Sequence, residues 1–212
     1  MENNKDSKRG LAIANVLQSD SVVNVGKEYL ELGIDTLLEA GVLKDIPFVN
    51  SVVGIFNAVG SVKDQLLVTK LIRFLGQLSD ISIEDRVRMV ERLNEDDKFS
   101  GGVGSAIIEI LDRMESEKKP ELAAKCFAAY ARIDISFEEL RRILWALERI
   151  PSFDIEKLVE FSEVTIENSL KMDESVLLAF VNAGLGVNNG GFSGGAVIPT
   201  NLCKLLRRCL FD

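Results

Sequence analysis

The stretch DISFEELRRILWALERI, Asp134 to Ile150, decides how the chain is read. Phe137, Leu140, Ile143, Leu144 and Leu147 recur at spacings of three and four, which places them on one face of a helix. Ser136 with Glu139 three residues on forms a capping box. The serine oxygen accepts from the amide of residue 139, and the acid reaches back to the amide of the cap residue. That acid also lies near the positive end of the helix dipole. Ile150-Pro151 stops the helix, because proline disfavours the helical conformation of the residue before it. The same opening occurs earlier as DISIED, Asp80 to Asp85, where Ser82 and Asp85 take these parts with a shorter acid. Arg88 and Arg142 hold matching places, 54 positions apart (88 to 142). In the preceding helices Phe74 falls over Phe127 once one residue is skipped. This is a helix–turn–helix pseudo-repeat, too short for a solenoid.

Helical stripes extend outward from it. Leu66, Leu67, Leu71, Phe74, Leu75 and Leu78 make one; Ile83, Val87, Val90 and Leu93 the next; Ile107, Ile108, Leu111 and Met114 a third. SGGVG at Ser100 to Gly104 is a connector, and Pro120 opens the helix of Leu122, Cys126, Phe127 and Tyr130, as suits a first helical position. Past Pro151, Ser152 or Asp154 is expected to cap a helix to about Lys171, with Leu158, Val159, Phe161, Ile166 and Leu170 as its apolar face. A second helix runs from about Asp173 to Ala183 and stops at Gly184, a natural C′ residue. LGVNNGGFSGGAVIPT then reads as a β-hairpin with a long flexible tip of Gly190, Gly191, Phe192, Gly194 and Gly195. Thr200 caps a final helix, NLCKLLRRCL. Helix, helix, hairpin, helix is a trimmed winged-helix-like arrangement. The expected fold is all-α with one small C-terminal β-hairpin. Its expected parts are a flexible polar leader (1–20), an apolar helical hairpin (21–65), a helical bundle (66–150) and the winged-helix-like unit (151–212).

Within the apolar hairpin, IPFVNSVVGIFNAVGSV from Ile46 to Val62 carries no charge. On a helix Asn50, Gly54, Asn57 and Ser61 fall on one narrow face, and Phe48 and Phe56 lie among the aliphatic remainder. A helix apolar almost all round is buried in protein or in lipid. The run is at the lower limit for spanning a bilayer, and two central asparagines raise the cost of spanning. A small, polar stripe suits close helix–helix approach. The expectation is a bundle helix that contacts a partner through these six residues, with lipid contact as the alternative.

Composition narrows the chemistry. A net charge of −8 opposes a phosphate backbone, and from Phe153 to Asp212 five cations stand against eight acids. Nucleic acid is therefore a disfavoured partner, despite the local Lys204, Arg207 and Arg208 cluster. The absence of histidine removes the usual general base and the commonest neutral metal ligand. Cys126, Cys203 and Cys209 fit small buried apolar residues of a reduced cytoplasm. The start of the chain does not read as a secretory signal. Asp80, Asp85, Asp134 and Glu139 are the carboxylates with a metal-like grouping, but capping accounts for Asp85 and Glu139, so no metal and no cofactor is expected. The glycine-rich tip lacks the Gly-Lys-Ser/Thr ending of a phosphate-binding loop. Arg86, Arg88, Arg92, Arg141, Arg142 and Arg149 are expected on solvated faces with i,i+4 ion pairs.

At DISFEELRRILWALERI, preceded by ELAAKCFAAYAR, the chain resembles the tellurite-resistance TerB-like helical domains, over about Leu66 to Ile150. The turn departs from the family pattern in lacking Asp-Gly. GVLKDIPFVNSVVG, KLIRFLGQLSDIS and the wing-like tail are similar to a family of uncharacterised bacterial proteins. The resemblance implies a bacterial or phage-carried accessory protein of stress response or anti-phage conflict. The expected function is a non-enzymatic protein-interaction module in the cytoplasm, with a protein partner or a second copy of itself. The alternatives are a membrane-active effector inserting residues 25–62, peripheral to the inner membrane, and a DNA-binding regulator acting through the C-terminal unit.

Overall fold

The computed structural model describes residues 8–23, 62–95, 102–190 and 195–211. Among them it is helical throughout, apart from one two-stranded antiparallel sheet near the C-terminus. The chain divides into two compact units at Asp134/Ile135, inside the stretch 66–150 that the sequence reading groups as one bundle. The apolar hairpin of 21–65 lies mostly outside the described residues.

The N-terminal unit contains α1 (Lys8–Leu17), α2 (Val62–Gln77), α3 (Ile83–Glu95), α4 (Val103–Arg113) and α5 (Lys119–Ala131). Helix α1 corrects the expected polar leader. Ile13, Val16 and Leu17 are buried, and the helix packs on α4. A short apolar patch behind a charged lead is weak in isolation, and tertiary burial is what sustains so short a helix. The two backbones come close at paired glycines: a Cβ on Gly104 would stand 1.8 Å from the Gly10 carbonyl oxygen. The SGGVG segment thus supplies a packing residue as well as a connector. Helix α2 lies on α5, where Phe74 meets Phe127 edge to face at 5.3 Å. The aligned residues of the pseudo-repeat touch each other. Arg73 adds ion pairs from α2 to Glu117 at 3.0 Å and Glu121 at 2.8 Å.

Cations gather at the helix ends of this unit. The last carbonyls of a helix have no intrahelical donor and carry the negative end of its dipole. Arg86, on α3, has no exposed surface. Its Nε donates to the Leu17 carbonyl at 3.0 Å and its two terminal nitrogens to Ser19 at 2.8 Å, Ile81 at 2.8 Å and Leu78 at 3.4 Å. One guanidinium therefore closes the ends of both α1 and α2. Arg92, two turns on, donates to the Tyr130 carbonyl at 2.6 Å at the end of α5 and stacks over the Tyr130 ring at 4.3 Å. Lys70 of α2 reaches the Asp112 and Met114 carbonyls at the end of α4, at 3.2 and 2.5 Å. The expectation of solvated arginines fails for Arg86 and Arg92, because both side chains point into the bundle where carbonyls need donors. It holds for Arg88, paired with Asp85, and for Arg142, paired with Glu138. Arg149 instead lies over the Trp145 ring at 3.7 Å.

Helix α5 ends in a Schellman motif. The Asp134 N–H donates to the Ala129 carbonyl at 2.9 Å and the Ile133 N–H to Tyr130 at 3.1 Å. The C′ position is Ile133, at φ 65° and 75% exposed, where glycine is the usual residue.

The C-terminal unit holds α6 (Phe137–Arg149), a 3₁₀ turn (Ser152–Asp154), α7 (Lys157–Ser162), α8 (Ile166–Ser169), α9 (Glu174–Asn182), β1 (Gly186–Asn188), β2 (Val197–Pro199) and α10 (Asn201–Phe211). The capping box of α6 is complete: the Ser136 N–H donates to Glu139 at 2.7 Å and the Glu139 N–H to Ser136 Oγ at 3.3 Å. The long helix expected to Lys171 is instead broken. Ser162 turns its hydroxyl onto the Val159 carbonyl at 2.7 Å, and Thr165 is extended at φ −95°, ψ 171°. A back-bonding serine followed by β-branched Val164 and Thr165 favours leaving the helix. Leu158 and Phe161 stay in the core, where Phe161 stacks on Phe180 at 4.6 Å. Helix α9 stops as expected, with Gly184 at φ 74° and the Schellman pair Leu185 N–H to Phe180 and Gly184 N–H to Val181, at 2.8 and 2.9 Å. Thr200 Oγ1 accepts from the Cys203 N–H at 3.2 Å, capping α10, and donates to the Gly184 carbonyl at 3.0 Å. The hairpin and both flanking helices are tied together at that residue.

Candidate functional site

The predicted contact residues Phe48, Asn50, Gly54, Phe56, Asn57 and Ser61 lie outside the described residues, as do Gly191, Phe192 and Gly194 of the hairpin tip. Gly190 and Gly195 flank that tip, both in the left-handed region at φ 67° and 73°. Two asparagines shape its base. Asn188 Oδ1 accepts from the Gly190 N–H at 2.9 Å, and Asn189 Oδ1 from the Ala196 N–H at 2.8 Å.

Below the tip the hairpin presents an apolar surface. Val187 sits directly opposite Ile198 in the antiparallel register, so the two side chains share one face of the ribbon. Val187 is 47% exposed. Ile198 and Pro199 form one wall of a cleft of about 530 Å³; Val164, Thr165, Ile166 and Glu167 form the other, with Lys204 at the end. The break after Ser162 sets Val164 to Glu167 along this wall and leaves Ile166 and Leu170 out of the core at 57% and 77% exposure.

Lys204 is also part of a second cleft, of about 420 Å³, between the end of α7 and the outer face of α10. Ser162 and Glu163 line one side, and Asn201, Leu205, Arg207 and Arg208 the other. The placement follows from the pattern of α10. Cys203, Leu206 and Leu210 are buried, which sends Lys204 and Arg208, at i and i+4, outward. The ion pairs of this unit, Arg142–Glu138 and Lys157–Asp154, leave Lys204 and Arg208 out among the described residues. An apolar cleft and a basic cleft thus meet at Lys204. Such a surface can cover aliphatic side chains and pair with carboxylates.

The carboxylates with a metal-like grouping are engaged otherwise. The Ser136 amide, then its hydroxyl, hold the Glu139 carboxyl below its usual range, and Arg208 adds to the effect. For Asp85 the Ser82 hydroxyl is the main cause of the same shift, ahead of Arg88. The Asp85 N–H donates to Ser82 Oγ at 3.1 Å and its carboxylate accepts from that hydroxyl at 2.8 Å. Asp80 and Asp134 are exposed. Among the described residues no three His, Cys, Asp or Glu are grouped to hold a metal ion, and no helix is long and apolar enough to cross a membrane. Burial pushes the Cys203 thiol up to about 12, so at neutral pH it stays a protonated, apolar group.

Of the residues around these two clefts, the hairpin and the basic cluster were marked by the sequence, and Ile166, Val187 and Ile198 were not. The signal for Ile166 was the Val164-Thr165 pair, a β-branched break inside an assumed helix. No protein-family model, curated protein or solved structure matches the chain.

Proposed function

We propose that the chain is a protein-binding module that works by contact and not by catalysis. The apolar face formed by the hairpin and α8 is one of its binding surfaces. The observation that carries this reading is the outward placement of Ile166, Leu170 and Val187, at 57%, 77% and 47% exposure, with Ile166 lining a cleft walled by Ile198 and Pro199 and Val187 paired across the hairpin with Ile198. Grouped apolar surface of this kind is left open where another protein covers it. The setting that the TerB-like resemblance implies is a bacterial stress-response or anti-phage system. A photo-crosslinking residue placed at position 166 or 187 in cells is expected to give a discrete protein adduct. That adduct should disappear when the other position is changed to aspartate. Absence of an adduct at both positions in induced and uninduced cells would overturn the proposal.

A further inference from the structure

We infer that the partner segment is an acidic–aliphatic peptide, its carboxylates on Lys204 and Arg208 and its aliphatic side chains against Ile166, Ile198 and Pro199. This rests on the reading of the hairpin and α8 face as a contact surface. The argument is charge complementarity along a continuous groove. The two clefts share Lys204, and their opposite walls, Ser162–Glu163 and Val164–Glu167, follow one another in the chain, so a segment lying in one ends beside the other. In the basic cleft the exposed Lys204 and Arg208 face one lining acid, Glu163, within a chain whose net charge is −8. Lys204 and Arg208 are outside the ion pairs of their unit, so a carboxylate arriving there displaces no resident partner. Arg208 is also near enough to Glu139 to help lower its pKa.

The groove has a direction. Glu167 stands at the apolar end and repels a carboxylate placed there, and repulsion of that kind fixes register as well as partner. The acids of the segment therefore lie toward Arg208 and its aliphatic residues toward Ile166. From Lys204 to Arg208 is one helical turn, about 6 Å, and two or three extended residues cover it.

The test uses the full chain and a short fluorescent peptide of consecutive glutamates followed by leucines. A control peptide carries lysine for glutamate. Anisotropy titrations are expected to show binding of the acidic peptide alone, weakened by added salt. The charge reversal K204E/R208E should weaken it about tenfold, and should make the lysine peptide the better ligand. Both positions are exposed, and an unchanged circular dichroism spectrum establishes that the variant folds. Ile166→Asp, as an independent variant, should also weaken the acidic peptide. Equal binding of the two peptides, or no response to charge reversal, overturns the inference. So does a wild-type chain that ignores the peptide but binds phosphatidylglycerol vesicles or duplex DNA through Lys204 and Arg208. If crosslinks at 166 and 187 persist unchanged in K204E/R208E, the acidic partner is wrong while the contact surface stands. If no crosslinks form at all, the contact surface itself is wrong.

Discussion

The helices that open at Ser82 and Ser136 start from the same Asp-Ile-Ser, and the fourth residue after the serine is fully buried in both. In α3 that residue is Arg86; in α6 it is Leu140. Helix geometry decides that this position faces inward, one turn past the cap. The neighbourhood decides what fills it. Beside Arg86 stand the carbonyls of Leu17, Ser19, Leu78 and Ile81, which need donors once water is excluded. Leu140 instead joins a buried set with Ile143, Leu144 and Leu147. Burial pushes the Arg86 pKa down, yet arginine keeps its charge across the accessible range. A buried position thus takes a cation where helix ends converge and an aliphatic side chain where they do not.

Four substitutions would break or sharpen this contrast. The largest effect is expected from Arg86→Met, which takes the donor from the Leu17, Ser19 and Ile81 carbonyls and leaves Leu78 the Ile81 N–H alone. It should cost about 3–5 kcal/mol in urea unfolding, and Arg86→Lys about 2 kcal/mol, because an ammonium lacks the planar fork. A methionine variant as stable as wild type would show that Arg86 is not the closure of those helix ends. Leu140→Ala should cost about 3 kcal/mol, from lost burial plus a cavity, and Leu140→Arg should cost more, because it puts a charge in a position buried like Ile143, Leu144 and Leu147.

Ser136→Ala should cost about 1 kcal/mol at neutral pH, and Ser82→Ala less, since the capping box is complete only at Ser136. Acid should narrow that difference. The folded-state pKa of Glu139 is depressed, so its contribution is full above its ordinary 4.5. The contribution is lost as pH falls through the depressed value. A Ser136→Ala penalty that stays constant on acidification past that range would show that the acid half of the box is idle. One effect has the opposite sign. Ile133→Gly should stabilise by about 1 kcal/mol, because a β-branched residue at φ 65° is strained where glycine is not. Thermal melts would check it, and a lowered midpoint would contradict it.

Much of the fold was legible because its signals are local. Capping serines, Pro120, Gly184 and the i,i+3/i+4 stripes each act within a turn of the residue that carries them. Arg86 and Arg92 were not legible, because their partners lie on other helices and the letters alone look like a solvated face. Helix α1 was missed for the same reason: its support comes from α4, far along the chain. At the candidate site, Lys204, Arg207 and Arg208 are visible as a basic cluster. Ile166 was misplaced because the periodicity carries on across Val164-Thr165 while the backbone does not.

The closeness of Gly10 to Gly104 has a consequence for the order of events during synthesis. Helix α1 meets the α4 backbone at a residue 94 positions later (10 to 104), and the Leu17 carbonyl waits until Arg86 is made. A chain growing from its N-terminus therefore closes the contact between α1 and α4 only after residue 104 has emerged. Contacts of such long sequence separation form slowly, and the interval before they close is when apolar segments are open to capture by other chains.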